Sequence, residues 1–196
     1  MPGSPWGRFI ALMLVFGLGQ VLYVAVVNHD ILVHRASLKK GTEKWDWVWF
    51  AVFTPAFLAI PAVATLDAGA GSAPLAPWTV PTGLVLFFLG CAGFVRAMGE
   101  NPFFEKTVRI QSERDHHVID TGPYRFVRHP GYVGFIILVL SLPLVLDSAR
   151  AFIPAGIAVA SLIVRTALED RTLRAKLPGY VDYTTRVRFR LLPRVW

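Results

Sequence analysis

The sequence predicts an all-α integral membrane protein with about five transmembrane helices, and three observations carry that prediction. Of its residues 54% are hydrophobic and only 17% charged, against about 25% charged in an average soluble domain. Three stretches, 9–27, 47–66 and 78–95, contain no Lys, Arg, Asp, Glu or His. Each is close to the roughly 20 residues that a helix needs to cross the hydrocarbon core. Finally, if five spans alternate in direction, 18 of the 20 Lys and Arg residues fall on one face of the membrane.

The first run, 9–27, follows a single basic residue, Arg8, and is longer than the apolar core of a signal peptide, so it reads as a retained span. The loop after it holds His29 and His34 among basic residues, which fits interfacial polar groups. After the second run comes "DAGAGSAPLAP" (67–77). Its "LDAGAGS" looks like a glycine-rich cofactor turn, but such a turn works between a strand and a helix start. Here it follows an apolar run and precedes Pro74 and Pro77, so it reads as a connection. The third run, 78–95, contains the only cysteine, Cys91. A single cysteine excludes an internal disulfide and a multi-cysteine zinc site.

The last apolar runs, 131–146 and 151–164, are short for spans. Between them Asp147-Ser148-Ala149-Arg150 suits a tight turn between antiparallel helices, and helical continuation into the charged flanks would complete their length. A re-entrant hairpin is the alternative. Pro55, Pro61, Pro81, Pro143 and Pro154 imply kinks, which membrane helices tolerate when neighbours satisfy the freed carbonyls. No internal repeat is present, so the chain reads as one membrane domain, 1–196.

The positive-inside rule then puts the amino terminus outside and the carboxyl terminus in the cytoplasm. The two long polar segments, 96–129 and 165–196, share the cytoplasmic face. A cytoplasmic pocket formed by the carboxyl-terminal half, about 96–196, is therefore expected. The net charge of +7 points to anionic membrane lipids rather than to nucleic acid, because the basic residues cluster at span ends. Metal chemistry has little support. Of five histidines, His116 and His117 are adjacent and point apart, while a metal site in a bundle needs three or more convergent ligands.

"TGPYRFVRHPGYVG" (121–134) is the strongest chemical signal. Pro130 fits the first turn of a helix, where no N–H donor is needed. The exposed N–H groups and dipole of such a start favour an anion. His129 adds a donor, Arg125 and Arg128 add positive potential, and Tyr124 and Tyr132 bring amphipathic rings. The competing reading is simple anchoring at the lipid headgroups. A second signal is "IVRTALEDRTL" (163–173). Arg165 and Glu169 are four apart on one helical face, which gives either a surface ion pair or a site, since charges at the membrane boundary tend to mark function.

These residues resemble the isoprenylcysteine carboxyl methyltransferase family, which includes phospholipid methyltransferase-like membrane proteins. The resemblance runs from about 101 to 193, through "QSERDHHVIDTGPYRFVRHPGY", "RTALED" and the trailing "GYVDYTTRV". It implies a membrane-embedded methyltransferase that uses S-adenosylmethionine and acts on a lipophilic or membrane-partitioned acceptor. A prenylcysteine-type carboxylate, a lipid amine and a small thiol all fit. Cofactor contacts are implied at Gln111, His116, His117, Val118, Ile119, Tyr124, His129, Pro130, Gly131, Tyr132 and Glu169, and an acceptor contact at Arg165. Arg165 and Glu169 are thus the implied catalytic pair: Arg165 holds an acceptor carboxylate, and Glu169 is a candidate base for an amine or thiol. Asp170 stands where the family usually has a second glutamate, and Gly131 where a bulkier residue is common. The rival readings are an NADPH-dependent sterol-type reductase, which shares an Arg-His-Pro-containing carboxyl-terminal half, and a non-catalytic membrane binding or scaffold protein.

Overall fold

A computed structural model describes residues 4–27 and 41–196; His29 and His34 lie outside them. The described residues form six α-helices: α1 (Pro5–Val27), α2 (Lys44–Gly69), α3 (Thr79–Glu100), α4 (Pro130–Val145), α5 (Phe152–Lys176) and α6 (Tyr180–Arg186). Two 3-10 turns, Ser112–Arg114 and Gly122–Arg125, punctuate the long α3–α4 connection. Among the described residues there is no strand.

Among the described residues four helices, α1, α2, α3 and α5, are long and apolar enough to cross a membrane. The chain is thus a multi-pass membrane protein by length and composition. α5 reaches that length because it runs on through "RTALEDRTLRAK" to Lys176. α4 does not: Pro130 opens it, and after 16 residues it gives way to a turn in which Asp147 takes a left-handed φ of 57°. At about 1.5 Å per residue it spans about 24 Å, short of the roughly 30 Å hydrocarbon core. The linking turn is the antiparallel one expected, with the Ser148 hydroxyl accepting from the Ala151 N–H. Only three of the five prolines lie in helix interiors, Pro55, Pro61 and Pro143. Pro81 and Pro154 sit in the first turns of α3 and α5, where the missing N–H costs nothing.

Glycine decides how the helices pack. A Cβ on Gly134 would lie 2.4 Å from the Phe94 backbone nitrogen, and one on Gly90 would lie 2.7 Å from the Gly134 carbonyl oxygen. α3 and α4 therefore cross backbone to backbone, as small-residue interfaces allow in membranes. α2 packs on α5, and α1 leans on α2 and α3. A chain of rings, Phe16, Phe94, Phe135 and Phe53, fills the space between α1, α2, α3 and α4. Beneath it Ile60, Phe87, Leu138 and Leu142 are fully buried.

The two ends of the bundle differ. At one end Asp67 accepts from the hydroxyls of Ser72 and Ser148 and pairs with Arg150, while Asp147 accepts from the Leu75 N–H. The "LDAGAGS" loop belongs to this clasp, far along the helices from the polar segments. At the other end the α3–α4 connection, α6 and the tail meet. The Arg128 and His129 N–H groups donate to the carbonyls of Phe189 and Arg190, 2.9 and 3.0 Å away.

Gly134→Ala is expected to destabilise the protein by about 1–3 kcal/mol, the usual cost of overpacking. Gly156→Ala, where a Cβ meets nothing within 4 Å, should be neutral or slightly stabilising. Thermal unfolding in detergent compares the two.

Candidate active site

The polar end of the bundle encloses a cavity of about 370 Å³, within the usual range for small-molecule sites. Walls come from all six helices and the long connection. α5 supplies the acidic group. Glu169 and Asp170 are sequence neighbours and therefore diverge on the helix: Glu169 faces the cavity, whereas Asp170 is 0% exposed behind it.

Asp170 is heavily paired. Arg128 donates to both its oxygens (2.7 and 3.2 Å), Arg174 and Arg190 to Oδ2 (3.1 and 3.0 Å), and the Tyr180 hydroxyl to Oδ1 (3.1 Å). Arg128, read from the sequence as a source of positive potential, is thus a fastener. Its remaining donors go to the Val187 and Arg188 carbonyls, both at 2.7 Å. His129 stands between the two carboxylates, Nε2 3.4 Å from Asp170 and Nδ1 3.9 Å from Glu169. Glu169 accepts a 2.5 Å hydrogen bond from the Tyr132 hydroxyl.

Arg165 and Glu169 do not pair with each other directly among the described residues. Arg165 turns instead to Asp46 at the start of α2, with Nε at 2.8 Å from Oδ1 and Nη2 at 3.2 Å from Oδ2. Nη2 also donates to the Lys106 carbonyl at 2.7 Å. Asp46, 0% exposed, also accepts from the Val108 N–H at 2.9 Å. Most of the planar fork expected to face an acceptor is thus satisfied inside the protein, which leaves Nη1 turned to neither partner. The guanidinium lies 3.9 Å over the ring of Trp49 and 5.6 Å from that of Tyr132, a cation–π seat that fixes its plane.

The roof comes from the α3–α4 connection. The His116 ring stacks on Phe103, 4.3 Å between centroids, and its Nδ1 accepts from the Gln111 N–H at 3.3 Å. That bond leaves the proton of a neutral ring on Nε2. Burial, with the positive charges of His117 and Arg109, pushes the imidazole down to about 4. Gln111 itself is 1% exposed and bonds the Phe103 carbonyl and Arg114. Tyr124 is raised by burial, and its hydroxyl donates to the Ala97 carbonyl. Below the roof Gly131 lies so close to Phe104 that an added Cβ would meet the ring at 2.6 Å.

The structure therefore brings together, around one cavity, His116, His117, Val118, Ile119, Tyr124, His129, Gly131, Tyr132, Arg165 and Glu169. Gln111 and Pro130 are not on its wall. Gln111 orients Phe103 and His116, and Pro130 is buried at the helix start. Sequence reasoning missed the whole contribution of the first two helices: Phe16 and Gln20 on α1, and Trp49, Phe50, Phe53 and Thr54 on α2. It also missed Asp46, for which a signal existed, since a lone acid one residue before an apolar span needs a partner. Among the described residues no group of three or more His, Cys, Asp or Glu is placed to hold a metal ion.

Residues 84–175 match the model of the isoprenylcysteine carboxyl methyltransferase (ICMT) family. This segment, a little under half of the chain, is similar to that methyltransferase family. The matched segment carries every implied site residue, from Gln111 to Glu169. The family implies a methyltransferase and suggests a prenylcysteine-type acceptor. No curated protein matches the chain.

Two outcomes follow from this geometry. Asp46→Ala leaves Arg165 buried without its partner and is expected to cost about 3–5 kcal/mol, whereas the pair Asp46→Leu with Arg165→Met should recover much of that loss; denaturation of both variants in detergent checks it. Because the folded protein favours neutral His116, its contribution is complete above the ordinary value of 6.5 and is lost as pH falls toward 4. The Tm of the wild type should therefore drop more steeply from pH 6.5 to 4 than that of His116→Gln.

Proposed function

We propose that the protein is an S-adenosylmethionine-dependent methyltransferase whose acceptor is a membrane-partitioned carboxylate of prenylcysteine type. One observation carries this reading: the Glu169 carboxylate and the Arg165 guanidinium, one helical turn apart on α5, line the same cavity as the start of α4. The chemistry of the two halves differs as such a reaction needs. Around Glu169 lie His129, Tyr132, Tyr124 and the His116 roof, a mixture of donors and acceptors with one full negative charge. Around Arg165 lie Trp49, Phe50 and Phe53, an aromatic wall continuous with the apolar core.

The residues fit the cofactor. Gly131 leaves no room for a side chain between the α4 start and Phe104, so backbone forms the wall there. Its N–H is among the unpaired donors of a helix start that suit a carboxylate. Glu169 is the acid suited to an ammonium or to ribose hydroxyls, and His116, neutral at physiological pH, offers Nε2–H to a polar edge. Bound there, S-adenosylmethionine supplies a methyl group on a sulfonium: an acceptor oxygen lone pair forms the new O–CH₃ bond as the C–S electrons go to sulfur.

The protein's own part is alignment and charge placement. Such positioning can supply several kcal/mol of the barrier. Arg165 offers Nη1 to the acceptor oxygen while Asp46, Lys106 and the Trp49 face keep its plane from turning. A carboxylate acceptor is already ionised at neutral pH, so no residue has to remove a proton. The Tyr132 hydroxyl satisfies Glu169, which fits a binding role for this acid better than that of a base. The clustering of Lys and Arg at these span ends supports a cavity that opens at the cytoplasmic face, with anionic lipids against the basic span ends.

His129→Ala and Glu169→Ala should each weaken S-adenosylhomocysteine binding at least about tenfold, about 1.4 kcal/mol. Arg165→Lys keeps a cation opposite Asp46 but loses the planar fork. It should lower kcat for methyl transfer to N-acetyl-S-farnesylcysteine while leaving S-adenosylhomocysteine binding intact. Unchanged affinity in the first two variants, or no transfer of label from methyl-labelled S-adenosylmethionine by the wild type, rejects the reading.

A further inference from the structure

The lysine and arginine residues that line the cavity are Lys106, Arg109, Arg128 and Arg165. Three of them are neutralised inside the protein. Arg109 pairs with Glu105 at 2.8 Å and with Glu113 at 2.7 Å, Arg128 with Asp170 at 2.7 Å, and Arg165 with Asp46 at 2.8 Å. Lys106 differs from them. It is exposed, and its ammonium has neither an ion pair nor a hydrogen bond among the described residues.

The backbone fixes where that lysine stands. Its carbonyl accepts from Arg165 Nη2 at 2.7 Å, and two residues on, the Val108 N–H donates to Asp46 at 2.9 Å. The segment 106–108 is thus laid along the Arg165–Asp46 pair, on the side of the cavity given to the acceptor. Without Lys106 that side has no net positive charge. Asp46 offsets Arg165, and Glu169, one turn along α5, brings a second carboxylate to the same cavity. Nε and Nη2 of Arg165 are already bonded, which leaves one nitrogen for a group with two oxygens. A fork held in this way can orient a carboxylate, but drawing an anion in requires uncompensated positive charge. On this wall Lys106 supplies it, on a flexible four-carbon stem that can follow the incoming group.

We propose that Lys106 is a specificity-determining residue whose ammonium takes one oxygen of the acceptor carboxylate while Arg165 Nη1 takes the other, so that the site selects an anionic acceptor over a neutral one of the same shape. The free cation rests on its lack of a partner, and its assignment to the acceptor rests on the methyltransferase reading. A carboxylate has about four lone-pair sites, so each oxygen bound to a cation keeps a lone pair for the methyl carbon. The two residues then do different work. Arg165, pinned by Asp46 and Trp49, sets the geometry of transfer, and Lys106, exposed and unpaired, sets affinity. An exposed charge is screened by salt, so the selection weakens as ionic strength rises.

Isothermal titration of the full chain in a nonionic detergent compares three probes: N-acetyl-S-farnesylcysteine, its neutral primary amide and S-adenosylhomocysteine. Lys106→Gln should bind the carboxylate about tenfold more weakly, with the amide and S-adenosylhomocysteine within about twofold of the wild type. Lys106→Arg should restore the carboxylate. Raising NaCl from about 0.05 to 0.5 M should weaken carboxylate binding by the wild type more than by Lys106→Gln. In turnover with methyl-labelled S-adenosylmethionine, Lys106→Gln should raise KM for N-acetyl-S-farnesylcysteine more than it lowers kcat. Unchanged carboxylate affinity in Lys106→Gln overturns the proposal. So does a parallel loss of the amide, since the lysine is then structural, and so does a loss confined to S-adenosylhomocysteine, since the cation then serves the cofactor. Carboxylate selection that follows Lys106 in a wild type that transfers no methyl group leaves the anion seat standing and removes the methyltransferase reading instead.

Discussion

At the polar end of the bundle, five side chains converge on the Asp170 carboxylate. Three arginines, from the α3–α4 connection, α5 and the tail, share it with Tyr180 of α6 and His129 at the start of α4. A carboxylate without exposure survives only when such partners replace its hydration. Removing water from Asp170 thus obliges the connection, the tail and α6 to dock. Docking in turn fixes the start of α4 against α5 and leaves Glu169, the next residue, facing the cavity. The site exists because its neighbour is not available to it.

The second buried pair works on the other wall. Asp46 joins α2 to α5 through Arg165 and to the connection through the Val108 N–H. A buried arginine without such a partner would turn toward water. Held by Asp46 and flat against Trp49, it keeps a fixed plane, which is what an alignment-based methyl transfer requires of a residue that holds an acceptor. The same bonds use most of its donors, so the pair trades binding capacity for orientation.

Much of this was legible in the residues. Three of the long helices coincide with uncharged runs, and the fourth, α5, begins as the run 151–164 and continues into its charged flank as expected, to Lys176. Pro130 marked the start of α4 correctly, since its missing N–H is free only there. At Gly90 and Gly134 the backbones of α3 and α4 approach so closely that no side chain fits between them, a relation between two distant segments that no local spacing records. Gln111, implied as a cofactor contact by its place in the motif, lies off the cavity wall and bonds the Phe103 carbonyl and Arg114. Arg128, read as a source of positive potential, lines the cavity but spends its donors on Asp170 and the tail carbonyls. Asp46, Trp49, Thr54 and Gln20 could not be reached by motif at all. They come to the cavity through the packing of α1 and α2 on the rest, a long-range relation that a single sequence does not encode at any fixed spacing.

That distribution gives the two halves of the chain different work. The residues from 84 to 175, which match the family, build the charged and hydrogen-bonded side of the cavity, where Glu169, His129, Tyr132 and His116 constrain one another through short bonds or stacking. Any change there disturbs several partners at once. The wall from α1 and α2 is bound by few such bonds: its rings interdigitate with the apolar core. A wall of that kind can be altered residue by residue without unfastening the end of the bundle. On the proposed reading, then, the fixed side holds the reacting groups, and the freer aromatic side borders the apolar body of the acceptor.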